Sequence, residues 1–111
     1  MSSMRLSEQV KEVKINNGMD PYGRAWSDGR MEINLKRGDV VNTIIHENLH
    51  LKDPMMPHGT VYRESDKIEV GMTLPKMAAL LLETHDRMLN PIHQRAITRT
   101  IASKVVSSIV K

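Results

Sequence analysis

The chain contains no cysteine. That excludes disulfides, a thiol nucleophile, an iron–sulfur cluster and any zinc ribbon or Cys-ligated finger. A metal bound here must take its ligands from His, Asp or Glu. Phenylalanine is absent as well, and the aromatics are Tyr22, Trp26 and Tyr62, too few for a stacking platform under single-stranded nucleic acid. Nine methionines supply flexible core volume instead. Long apolar runs are missing. The longest, Met77–Leu82, falls far short of the ~20 residues a membrane span needs. The first residues, Met-Ser-Ser-Met-Arg-Leu-Ser-Glu, lack the apolar core of a secretion signal, so the expectation is a cytoplasmic protein without a membrane partner. Acid is missing from one segment only. Residues 91–111 carry Arg95, Arg99, Lys104 and Lys111 with no Asp or Glu, a local +4 within a chain of net +3. Such a segment serves either as a solvated helix face or as a dock for nucleic acid or another acidic partner.

What remains is ordinary globular usage. With 111 residues, 40% hydrophobic and 26% charged, the chain is expected to form one domain over residues 1–111. Val10, Val13 and Ile15 suit either a strand or a short helix over residues 4–16. Residues 16–23 are dense in turn formers. Asp28-Gly29 between Gly23–Trp26 and Arg30–Lys36 predicts a hairpin. In its second arm Met31, Ile33 and Leu35 alternate with Glu32, Asn34 and Lys36, the pattern of a half-buried strand. Asp39 caps a helix whose apolar side is Val40, Val41, Ile44, Ile45 and Leu49 and which Pro54 ends near Lys52. A short helical stretch follows over residues 60–66. Thr73 and Pro75 open a further helix, with Leu74, Met77, Ala78, Leu81, Leu82, Met88 and Leu89 on its apolar face and Asn90-Pro91 breaking it. The last helix, residues 92–110, repeats Ile97, Ile101, Val105 and Ile109 at four-residue spacing. The fold class is therefore α+β: a hairpin or short sheet, a central helix and two C-terminal helices.

His46-Glu47-Asn48-Leu49-His50 is an H-E-x-x-H run inside the first helix. Residues four apart stack on one helical face, so both imidazoles can point at one ion. Glu47 sits about 100° around the helix from His46, placed to take a proton from a metal-activated water rather than to bind the metal. In a shuffled chain of this composition the run occurs about 0.01 times. A catalytic zinc needs a third protein ligand and an open position. A third His six residues on, as in the metzincins, is ruled out because Met56 stands there. Two choices remain: Glu83 on the later helix, or His58 across the stiff Pro54–Pro57 loop, with Gly59 easing the turn beside it.

Taken together, Thr43–His50 and the following Pro57-His58-Gly59-Thr60-Val61-Tyr62 resemble the SprT-like zinc metallopeptidases, relatives of Spartan and the WLM proteases. The upstream Tyr22-Gly23-Arg24-Ala25-Trp26 and Gly29–Leu35 resemble the strand region that precedes the active-site helix in that family. The resemblance covers about residues 22–66. It implies a small zincin-like domain, one zinc ion held by His46, His50 and His58, Glu47 as general base, and a polypeptide substrate. Stand-alone domains of this kind occur in bacterial and phage genomes. That keeps two other uses open: a zinc-binding structural or assembly component, virion-associated in a phage, and a DNA-associated protease module docking through Arg95, Arg99 and Lys104.

Several side chains carry secondary expectations. Tyr62 either stabilises an oxyanion or packs its ring under the helix with its hydroxyl in water. His85 and Asp86 either orient a ligand imidazole or form an exposed polar face. His93 reads as a partnerless surface residue. Tyr22 and Trp26 read as hairpin packing, with Trp26 alternatively a wall of the substrate site. Arg30–Lys36 is the strand expected nearest the motif, either an edge where a substrate could add as a further strand or a plain structural strand.

Overall fold

In the computed structural model, which describes residues 5–19 and 21–110, the Asp28-Gly29 pair closes the hairpin that its chemistry predicts. Gly29 lies at φ +99 and donates its N–H to the Trp26 carbonyl at 3.0 Å; a side chain there would strike the Gln9 carbonyl at 2.5 Å. Residues 1–4 of the secretion-signal reading, Asp20 of the turn cluster and Lys111 of the basic segment lie outside the described residues. The hairpin joins β2 (Gly23–Ala25) to β3 (Arg30–Ile33). Met31 and Ile33 are fully buried, as alternation requires. The strand stops at Ile33 rather than Lys36. Asn34 turns inward, donating Nδ2 to the Met19 carbonyl at 2.7 Å and accepting the Lys36 N–H at 2.9 Å, an Asx turn that removes the chain from the sheet.

The ambiguous first segment forms a strand, β1 (Glu12–Ile15), paired in parallel with β3. The sheet order is β1-β3-β2, so β3 is central and cannot be the substrate edge expected of it. The outer side of β1 is closed as well. Val13 N–H donates to the Arg87 carbonyl at 2.9 Å and Ile15 N–H to His93 Nδ1 at 3.2 Å. His93 therefore has a partner, contrary to the sequence reading.

Asp39 caps α1 (Val40–Lys52), its Oδ1 accepting from Val41 N–H at 2.8 Å and Asn42 N–H at 3.2 Å. Val41, Ile44 and Ile45 are fully buried, and α1 packs on β2, β3 and α2. The short stretch expected over 60–66 is a full helix, α2 (His58–Val70), so His58 opens a helix instead of hanging on a loop. Gly59 is helical with open space beside it and does not serve a turn. α3 (Leu74–Asp86) begins under the Thr73 cap but ends before Met88. Its terminus is set from outside: the Arg87 guanidinium donates to the Ser7 carbonyl at 2.7 Å and to the Val10 carbonyl at 3.3 Å. The buried face is accordingly Leu80, Leu81 and Thr84, while Leu82 and Leu89 are exposed. α4 (Pro91–Val110) packs along α3 through Ile97, which is fully buried. Its stripe emerges towards the C-terminus, where Val105 is 37% exposed and Ile109 77%. Over the described residues the protein is thus α+β, a three-stranded sheet with four helices. Among the described residues no helix is long and apolar enough to cross a membrane.

Candidate metal centre

One turn of α1 separates His46 from His50, and the helix sets their Nε2 atoms 3.0 Å apart. The third imidazole comes from α2. Asp53 N–H closes α1 on the Leu49 carbonyl, Met56 N–H bonds back to the Asp53 carbonyl, and Pro57 leads into the first residue of the next helix. Because α2 packs on α1, His58 lands on the same face. Its ring stacks on His50 at a centroid distance of 5.0 Å and lies 5.2 Å from His46. One ring nitrogen from each of the three lies within 4.8 Å of the others. Tetrahedral zinc, with Zn–N near 2.1 Å, asks for nitrogens about 3.4 Å apart, so small rotations of these rings suit the ion. His46 is buried, His50 half-buried and His58 exposed, leaving the cluster open on one side.

The electrostatics favour ligation. Burial, followed by the charges of His50 and His58, pulls His46 down to about 4. Burial and His58 lower His50 as well. Both imidazoles are neutral near pH 7 and present a lone pair without proton competition.

Glu47 is 7% exposed, and burial raises its carboxyl to about 7. Its close neighbour is the backbone of β2. A methyl built on Gly23 would meet Thr43 Cγ2 at 2.7 Å, Glu47 Cγ at 3.0 Å and Glu47 Oε2 at 3.1 Å. Only a glycine lets the strand lie this close to the carboxylate. Nothing in the local sequence signals that contact, and Gly23 reads there as one more turn residue.

Tyr62 stands one turn beyond His58 on α2. Its ring lies 4.6 Å from His46 and 5.0 Å from His58, half-exposed, at the wall of a cavity it shares with Glu47. Glu83 is placed elsewhere: its carboxylate accepts from Leu6 N–H at 2.9 Å and Arg5 Nε at 3.3 Å, and it is not part of the histidine cluster. His85 pairs with its neighbour Asp86 at 3.2 Å at the end of α3. Trp26 is half-buried and lies under the Arg30 guanidinium, 4.6 Å from its ring centroid; Tyr22 packs on Gly38 and is 54% exposed. Arg95 and Arg99 are exposed on α4, whereas Lys104 is half-buried and its charge acts on Glu69.

Asn48, an unspecified position of the motif, is fully buried on the far side of α1. It accepts from Ser7 N–H at 2.7 Å and donates to the Arg5 carbonyl at 3.1 Å. Set against protein-family models, curated proteins and solved structures, the chain matches none.

Proposed function

We propose that this protein is a small zinc-dependent metallopeptidase of the SprT-like, zincin type, with His46, His50 and His58 as ligands and Glu47 as general base. The observation that carries the reading is the convergence of three imidazoles from two helices beside a buried carboxylate. Bound there, zinc would lower the pKa of a water to ~7 and polarise a peptide carbonyl.

The chain's own residues supply the rest. Glu47 lines both cavities beside the cluster, which supports a role for its carboxylate in accepting a proton from the attacking water. With a carboxyl near 7 it can then return that proton to the leaving amine. Tyr62 lines the same wall, where its hydroxyl can donate to a developing oxyanion. The substrate backbone has an edge to follow, which is β2 rather than β3. Trp26 N–H bonds to the Arg30 carbonyl and Asn34 N–H to the Tyr22 carbonyl. In the antiparallel alternation this turns the backbone groups of Gly23 and Ala25 away from β3, towards an added strand beside Glu47.

The test is metal content and cleavage together. Wild type should bind one zinc per chain and cleave an unfolded protein. Glu47→Gln should keep the zinc and lose the cleavage. His58→Ala should lose zinc while Glu83→Ala retains it; the reverse pattern would reassign the third ligand. Stoichiometric zinc with no cleavage of any polypeptide would leave a structural metal site in place of an enzyme.

A further inference from the structure

Two cavities flank the histidine cluster. The smaller, about 280 Å³, is walled by Tyr22, Arg37 and Tyr62. The larger, about 620 Å³, is walled by Arg24, Trp26 and Lys52. Both reach Gly23, Glu47 and His58, so they adjoin where a substrate carbonyl would sit. The wall of the larger one has a bias of charge. Among the described residues it carries Arg24 and Lys52, and Glu47 is its sole carboxylate.

The nearby acids are placed apart from the lining of the larger cavity. Asp28 holds the Arg30 guanidinium at 3.0 Å, and Glu32, opposite Arg24 in the sheet register, accepts from the Asn16 amide at 3.0 Å. Asp66 and Glu69, bridged by the Asn42 amide at 3.1 and 2.8 Å, put their negative charge on the side of the smaller cavity, where that of Asp66 reaches His46. Arg24 and Lys52 are exposed and take part in none of the ion pairs among the described residues.

From this we propose that the site takes an acidic polypeptide segment, with Asp or Glu side chains in the larger cavity beside Arg24 and Lys52. The inference deepens the metallopeptidase reading and rests on it. A strand laid along β2 sends alternate side chains to the two sides of the sheet edge. In a partly enclosed cleft, unpaired cations attract anionic side chains more strongly than they would on an open surface. A basic segment would bring like charges against Arg24, Lys52 and the bound cation together.

The experiment uses the zinc-loaded full chain and three quenched fluorescent peptides of one length. They share an apolar centre and differ only in flanks of Glu, Gln or Lys. The expected order of kcat/KM is Glu, then Gln, then Lys, with steps of about three- to fivefold per charge. Added sodium chloride should compress the order. The same order should appear in the affinities of zinc-loaded Glu47→Gln, read by fluorescence anisotropy without turnover. Arg24→Glu with Lys52→Glu should invert the preference. Arg24→Gln with Lys52→Gln, which keeps side-chain size, should flatten it if the double reversal does not fold.

Equal use of the three peptides overturns the inference and leaves the peptidase reading intact. So does an unchanged order in the neutralised variant. Displacement of the Glu peptide by a single-stranded oligonucleotide of equal charge, at equal concentration, also overturns it, because the site would then read anions at large. The predicted order of binding with no cleavage by wild type would overturn the peptidase reading and leave an acidic-segment site.

Discussion

Glu47 is an acid held where its charge is disfavoured, and that gives the residue a pH signature of its own. Its folded value of about 7 lies above the ordinary 4.5, so the native state keeps the proton longer than the unfolded chain does. Stability from this group is fully present below about pH 4.5 and is lost as pH rises through about 7, in total on the order of 3 kcal/mol. His46, pulled down to about 4, works in the opposite sense: its contribution is present above about pH 6.5 and lost as pH falls. Both terms act in the metal-free wild type, and Glu47→Gln removes only the first. Urea midpoints of the chelated proteins should therefore show Glu47→Gln gaining on wild type as pH rises from about 4.5 to 8. A constant difference across that range would mean that the carboxyl titrates normally. The neighbouring Gly23 carries a second prediction. A Cβ there meets Thr43 Cγ2 at 2.7 Å and pushes on the Glu47 side chain. Gly23→Ala should keep its zinc but lose cleavage by about tenfold or more through kcat, since displacements near 1 Å cost up to 10² in rate. Thr43→Ser, which removes the obstructing methyl, should recover part of that loss in the double variant.

At the scale of elements, the local signals were legible and the long-range ones were not. Asp39 and Thr73 cap helices where capping chemistry places them, and Asp28-Gly29 closes its hairpin, because each signal acts within a few residues. The parallel pairing of β1 with β3 has no such marker. A run of four residues reads as strand or helix until a distant partner decides it. The end of α3 is likewise set by Arg87 reaching the Ser7 and Val10 carbonyls across most of the chain. Asn34 broke the alternation because its amide satisfies the Met19 and Lys36 backbone. Asn48 belongs to this class, since it ties α1 to the segment before β1 through Ser7 and Arg5. Asn48→Ala leaves those part-buried backbone groups without the amide and should cost about 1–3 kcal/mol. Denaturant unfolding measures the loss. Hydrogen exchange should localise it, with amides of residues 6–10 exchanging faster while the core of α3 and α4 is unchanged at matched stability. Uniform acceleration would assign Asn48 a general packing role instead.

For the molecule as a whole, the candidate centre was readable in its first half from helical spacing alone. His58 needed the packing of α2 on α1, which no local pattern supplies; the sequence could only weigh it against Glu83. That same packing gives a metal a mechanical role. His46 and His50 belong to α1 and His58 to α2, so an ion held by all three ties together two helices whose connection is a proline-bounded turn. The unfolded chain has no such arrangement of ligands, and an ion that binds only the native state stabilises it by mass action. At a free zinc concentration a hundredfold above the dissociation constant the gain is ~2.7 kcal/mol. For a domain of this size that corresponds to a rise in Tm of roughly 10 °C. Calorimetry with and without a chelator should show this shift in wild type, in Glu47→Gln and in Glu83→Ala. It should collapse in His58→Ala, because two imidazoles on α1 alone no longer couple the helices. If His58→Ala kept the full shift, the ion would be held without α2, and the three-histidine centre would be wrong.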